Sequence, residues 1–103
     1  MERKVPTRES DIESKMRSKL RQAGMGFYKF TSPGTSGVPD RIVLVPGGRV
    51  IFVELKTKEG RLSDIQKVTQ AKMRRQGAEI YTLYGWEDVE HFMQTVLCLD
   101  VGG

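Results

Sequence analysis

The spacing of apolar positions changes repeatedly along the chain, and each change marks an element. Ile12, Met16 and Leu20 recur every four residues, with Ala23 just beyond, on an otherwise charged stretch that ends at Gly24. That spacing predicts a helix with one apolar stripe, which packs by that stripe. Met25 to Phe30 holds Phe27, Tyr28 and Phe30 and has the composition of a strand; Thr31 to Gly37 follows as a loop with Pro33, Gly34 and Gly37. Asp40 to Val45 and Arg49 to Lys56 are β-branched and apolar, and Pro46, Gly47 and Gly48 between them supply the conformations of a tight turn. They form a β-hairpin. A second helix opens at Ser63, where Ser63-Asp64-Ile65-Gln66 is a capping box, and closes at Gly77, a residue suited to a left-handed C-terminus. Glu79 to Tyr84 reads as a fourth strand, and Trp86 to Val96 has amphipathic helical spacing.

The element order is helix, three strands, helix, strand, helix. A strand-helix-strand step places the fourth strand parallel to the third through a right-handed crossover. The fold class is therefore α/β, a sandwich of helices flanking a mixed four-stranded sheet. Met1 to Arg8 carries Arg3, Lys4 and Pro6 with no apolar period and reads as a flexible basic arm. Residues 9–97 form the folded domain, and 98–103 are expected to fray.

Composition narrows the class of protein. The chain has 103 residues, enough for one core of the usual size of roughly 100–150 residues and too few for two. The longest apolar run, Val50 to Val53, is far short of the about 20 residues that cross a bilayer, and the N-terminus is polar where a signal peptide is apolar. A cytoplasmic protein without a membrane partner is expected. Cys98 is the only cysteine, so neither an internal disulfide nor a cysteine-based zinc site can form. A net charge of +4 and a pI near 9.4 favour a polyanionic partner, although an ordinary basic surface fits them equally well.

The hairpin brings chemistry together. Folding it about Gly47 pairs residues whose numbers sum to about 94, so Asp40 falls opposite Glu54 within one residue of register. Opposed side chains in an antiparallel pair lie about 4.5 to 5.5 Å apart at Cβ, where like charges destabilise unless something compensates them. A divalent cation held by carboxylates, water and phosphate does so. Alternation puts Glu54 and Lys56 on one side of the strand, while Leu55 points into the core and leaves its backbone carbonyl near the cation. A lysine ammonium at that place can orient a nucleophilic water or neutralise charge developing on a phosphate. A solvated strand edge with a cross-strand charge is the competing reading of the same residues.

Two stretches, Gly37-Val38-Pro39-Asp40-Arg41 and Val53-Glu54-Leu55-Lys56, carry a resemblance that extends from Glu9 to about Tyr84. With the Lys29-Phe30-Thr31-Ser32-Pro33-Gly34 loop and Gln66, they resemble the VRR-NUC branch of the PD-(D/E)XK nucleases. The resemblance implies a restriction-endonuclease-like fold, Mg²⁺ or Mn²⁺ with no organic cofactor, and hydrolysis of DNA phosphodiester bonds by a metal-activated water. It implies that Asp40 and Glu54 hold the metal, that Lys56 assists the water, and that a helix glutamate and Gln66 complete the site.

Glu9 and Glu13 lie one turn apart and both flank the apolar stripe; Glu13 is the favoured carboxylate. Ser10 to Glu13 and Ser63 to Gln66 both also fit a capping box, which is the local alternative for Glu13 and Gln66. The resemblance makes Lys29 and Ser32 candidates to hold a phosphate next to the metal, with solvated loop side chains as the alternative, and the motif residue Arg41 is a candidate for DNA binding. Arg61, Lys67, Arg74 and Arg75 flank or lie on the second helix and are candidates for contacts to duplex backbone, with a solvated helix face as the alternative. His91 is expected to be structural, and Trp86 to lie in the core or an interface.

Stand-alone members of this family resemble Holliday-junction resolvases of virus origin, which implies branched DNA as substrate. Symmetric cutting of a four-way junction needs two active sites, hence a homodimer. A monomeric nicking or flap nuclease and a catalytically silent nucleic-acid-binding module are the rival readings.

Overall fold

A computed structural model describes residues 5–100. Helix α1 (Glu9–Gln22), strands β1 (Gly26–Lys29), β2 (Arg41–Val45) and β3 (Arg49–Lys56), helix α2 (Asp64–Arg75), strand β4 (Ile80–Tyr84) and helix α3 (Gly85–Thr95) follow one another in the expected order. The strands lie side by side in chain order, β1 to β3 antiparallel and β4 parallel to β3. The mixed sheet inferred from the crossover is present.

The hairpin register follows the turn. Gly47 and Gly48 both have φ near +100°, and the Gly48 N–H donates to the Val45 carbonyl at 3.0 Å, closing the turn at the only residues that take such angles without strain. Val45 then pairs with Arg49 and Arg41 with Val53, every pair summing to 94. One step beyond, Asp40 faces Glu54.

Alternation divides the sheet into two unlike faces. Val43, Ile51, Val53, Leu55 and Leu83 are buried under α1 and α3, where Ile12, Met16, Leu20, Val89, Phe92 and Met93 complete the core. Trp86 belongs to this core. Glu54 and Lys56 have the opposite parity and face α2. That helix packs unlike the other two: its only buried residue is Gln70, whereas Ile65 and Val68 are exposed. It rests on the loop between β1 and β2, where the Thr69 hydroxyl donates to the Ser36 carbonyl at 2.7 Å. Gly37, at φ +87°, lies so close beneath it that a Cβ would stand 2.5 Å from the Ile65 carbonyl oxygen.

Two boundaries differ from expectation. The C-terminal segment stays attached past the expected boundary at residue 97, because the Leu99 N–H donates to the Met93 carbonyl at 2.8 Å and its side chain packs, partly buried, against the core. Residues 101–103 of the expected tail lie outside the described residues, as do residues 1–4 of the expected basic arm. Helix α1 starts at Glu9 with Arg8 as its N-cap, so Ser10 is already helical and does not cap it. No described helix is long and apolar enough to cross a membrane.

Candidate active site

Asp40 and Glu54 reach the site from neighbouring strand ends, and their surroundings differ. Glu54 is 3% exposed. Burial, and next the charge of Asp40, push its pKa up to about 7, while Lys56 works in the opposite direction. Burial likewise raises Asp40 above the usual carboxylate range, opposed by Arg41 and by the backbone N–H of Leu55. Two carboxylates so placed repel each other, and the one ammonium among them, Lys56 Nζ, lies 3.7 Å from Glu54 Oε2. The pair has the donor chemistry of a divalent-cation site.

The polar atoms around the carboxylates fit that reading. Asp40 Oδ1 is buried and has no hydrogen-bond partner, a costly condition unless a positive group meets it. Among the described residues no three His, Cys, Asp or Glu side chains converge so as to hold an ion. One or two carboxylates, with water and substrate phosphate supplying the remaining oxygens, is the usual Mg²⁺ arrangement, and Asp40 with Glu54 matches it. The Leu55 side chain is buried in the core, as alternation requires, which leaves only its backbone on the site's side.

Gln66 resolves one open alternative by filling both roles. Its Oε1 accepts from the Ser63 N–H at 2.9 Å and its backbone N–H donates to Ser63 Oγ at 3.2 Å, a complete capping box. Its Nε2 meanwhile donates to Glu54 Oε2 at 3.4 Å. The cap orients the amide, and the amide's other end reaches the carboxylate.

Glu13 is placed differently from the expectation. Its carboxylate accepts from Arg17 Nε at 2.8 Å on its own helix, so it neither caps Ser10 nor joins the cluster. Glu9, one turn earlier, is the helix carboxylate whose charge acts on Glu54. The apolar stripe alone does not separate them; Arg17, four residues after Glu13 and already visible in the sequence, neutralises that carboxylate locally.

Arg41 is likewise not a surface contact. Its side chain is 11% exposed, and its Nη1 donates to the Asp40 carbonyl at 3.0 Å and lies 3.4 Å from Asp40 Oδ2. It holds Asp40 in place. Lys29, paired with Arg41 across the ladder, has the parity of the core face and is directed away from Glu54. Ser32 uses its carbonyl to accept from Thr35 within the loop.

Arg61 and Lys67 share a concavity with Lys58 and Tyr84, and Tyr84 is the β4 partner of Lys56. The side chains of Lys58, Arg61 and Lys67 have no ion-pair partner among the described residues, so this concavity is an unneutralised basic surface contiguous with the site. Arg74 is tied down, donating to the Ile80 carbonyl at 3.3 Å. Arg75 stands nine residues from Gln66, about 14 Å along the helix. His91 is exposed on α3, away from the cluster.

Gln70, which sequence reasoning missed, is fully buried and donates to Glu54 Oε1 and to the Gly37 carbonyl, each at 3.5 Å. Its signal was present but faint: a polar residue at i+4 from Gln66, on the face that should be apolar.

Comparisons with known proteins bear on the family and the fold. The family model described as the VRR-NUC domain matches residues 7–87. Protein p44 of Acyrthosiphon pisum secondary endosymbiont phage 1, a candidate nuclease by name, is 40% identical over 76 residues, spanning 74% of this chain and 82% of its own. A solved structure described as a VRR-NUC domain superposes with a TM-score of 0.77 at 25% identity, covering 87% of this chain and 98% of its own. With Asp40, Glu54, Lys56 and Gln66 all inside the matched span, the chain belongs to the VRR-NUC nuclease family.

Proposed function

We propose that this nuclease is a Mg²⁺- or Mn²⁺-dependent DNA endonuclease that cuts branched DNA such as four-way junctions. The observation that carries the metal dependence is the Asp40–Glu54 pair, Glu54 buried and Asp40 half-buried, with Asp40 Oδ1 left unpartnered. Asp40, Glu54 and the Leu55 backbone carbonyl hold the ion. A bound divalent cation supplies Lewis acidity toward the phosphate and its attacking water.

The protein's own groups do the rest. Gln66 and Lys56 both address Glu54 Oε2 and keep that oxygen oriented. Lys56 carries three donors on one flexible stem, so its ammonium can stay on Glu54 while another proton binds a phosphate oxygen or aligns the water. Glu9 takes the role assigned to the helix carboxylate, because Glu13 is neutralised by Arg17. Arg41 positions Asp40. The basic concavity of Lys58, Arg61 and Lys67 engages the phosphate backbone next to the scissile bond, a contact that orients DNA without reading its sequence.

Tyr28, Leu44 and Val50 are exposed on the sheet face opposite the core, an apolar surface that supports association of two copies and hence two cuts per junction. The test is cleavage of an end-labelled four-way junction and a linear duplex of the same sequence, with Mg²⁺ and with chelator. Expected are Mg²⁺-dependent cuts in the junction and a loss of at least 100-fold in both Lys56→Ala and Glu54→Ala. Equal cutting by all three proteins, or cutting unaffected by chelator, would sink the reading.

A further inference from the structure

The residue that α2 buries is the wrong kind for a core. Gln70 is fully buried while Ile65 and Val68 of the same helix are 51% and 64% exposed. Folding alone would favour an apolar side chain here, since an amide taken out of water is unfavourable unless both its ends are bonded. One end of Gln70 is not: its Oε1 is buried without a partner. What it gains is a bridge. Nε2 lies within donating distance, 3.5 Å, of both Glu54 Oε1 and the Gly37 carbonyl, and Gly37 begins the stretch that delivers Asp40 to the site three residues later.

We infer that Gln70 is a positioning residue: by joining Glu54 to the Gly37 carbonyl it sets the separation of the two carboxylates that hold the divalent ion. This rests on the metal-site reading above. Three features support it. Gln66 and Gln70, one turn apart, divide the carboxylate between them, one amide to each oxygen. Lys56 also addresses Oε2, which leaves Gln70 as the side chain that orients Oε1. The loop cannot move toward the helix to compensate, because Gly37 is already against the Ile65 carbonyl. Groups that orient metal ligands in this way typically change metal affinity about 10- to 100-fold when removed.

The experiment compares wild type with Gln70→Leu and Gln70→Met, which fill nearly the same volume without the amide. Three quantities are read: thermal midpoint without metal, Mn²⁺ affinity of the DNA-free protein by titration calorimetry, and junction cleavage as a function of Mn²⁺ concentration. Expected are a midpoint equal to or above that of wild type, Mn²⁺ binding weakened about tenfold, and a matching rise in the Mn²⁺ concentration that half-saturates cleavage. A merely structural glutamine would behave otherwise. Variants that bind and cleave like wild type overturn the positioning role and leave the nuclease reading intact. A wild type that binds Mn²⁺, loses affinity on substitution, and yet cuts no DNA overturns the nuclease reading while supporting the positioning role. A wild type that binds no Mn²⁺ overturns both.

Discussion

Glu54 sits where its ionised form is disfavoured, and that has a consequence for stability. Its folded pKa, pushed up to about 7, stands above the value of 4.5 for a free glutamate. The folded protein therefore binds the proton more tightly than the unfolded chain, and stability without metal falls as pH rises from 4.5 through 7. Above that window the cost is on the order of 3 kcal/mol, from about 1.4 kcal/mol for each pKa unit. Glu54→Gln removes the charge and keeps the shape. In chelator it is expected to melt higher than wild type at pH 8 and close to it at pH 5, a difference that thermal denaturation at the two pH values reads. On the proposed metal site Mg²⁺ would bind the ionised pair, so added Mg²⁺ is expected to stabilise wild type most above pH 7 and Glu54→Gln hardly at all. An equal Mg²⁺-induced rise in both proteins would refute the assignment of Glu54 as ligand.

At the scale of elements, α2 does more than cover the sheet. Its first turn is fixed by the Ser63–Gln66 capping box, and the amide that closes the box is the same one that reaches Glu54. The two functions separate by mutation. Ser63→Ala removes one cap bond and costs about 1 kcal/mol of stability, but leaves Gln66 free to reach Glu54, so cleavage at saturating Mg²⁺ should fall less than threefold. Gln66→Ala removes the cap's second bond and the carboxylate contact together, and cleavage should fall at least tenfold for a similar loss of stability. Urea denaturation beside single-turnover rates distinguishes them; parallel losses in both variants would mean that Gln66 is a cap and nothing more.

For the whole molecule the two faces of the sheet have divided labour. The face under α1 and α3 carries the core, and the other carries the site at one end and Tyr28, Leu44 and Val50 at the other. If that apolar end is where two copies meet, light scattering at micromolar concentration should give twice the 11.7 kDa chain mass. Leu44→Glu combined with Val50→Thr, two exposed and directly paired positions that then carry a single charge, should return the single-chain mass with little change in fold stability. The same variant should cut one strand of a junction per encounter rather than two. A wild type of single-chain mass that still makes symmetric paired cuts would argue against a homodimer.

Local rules were enough for much of this protein. Element order, the Gly47–Gly48 turn, the register summing to 94, the parallel β4 and the Asp40–Glu54–Lys56 grouping are all readable from the chain, because turn chemistry and alternation act over a few residues. The family resemblance supplied the word nuclease. Tertiary structure decided what apolar spacing leaves degenerate: Glu9 rather than Glu13 as the helix charge acting on Glu54, Arg41 folded onto Asp40 instead of outward, Leu99 tied back to α3, and Gln70 buried against two carriers of the site. Glu13 and Arg41 are claimed by partners within four residues, whereas Gln70 and Glu9 meet groups distant in sequence that only the fold brings near. Periodicity can assign a residue to a face; only packing determines what it meets there.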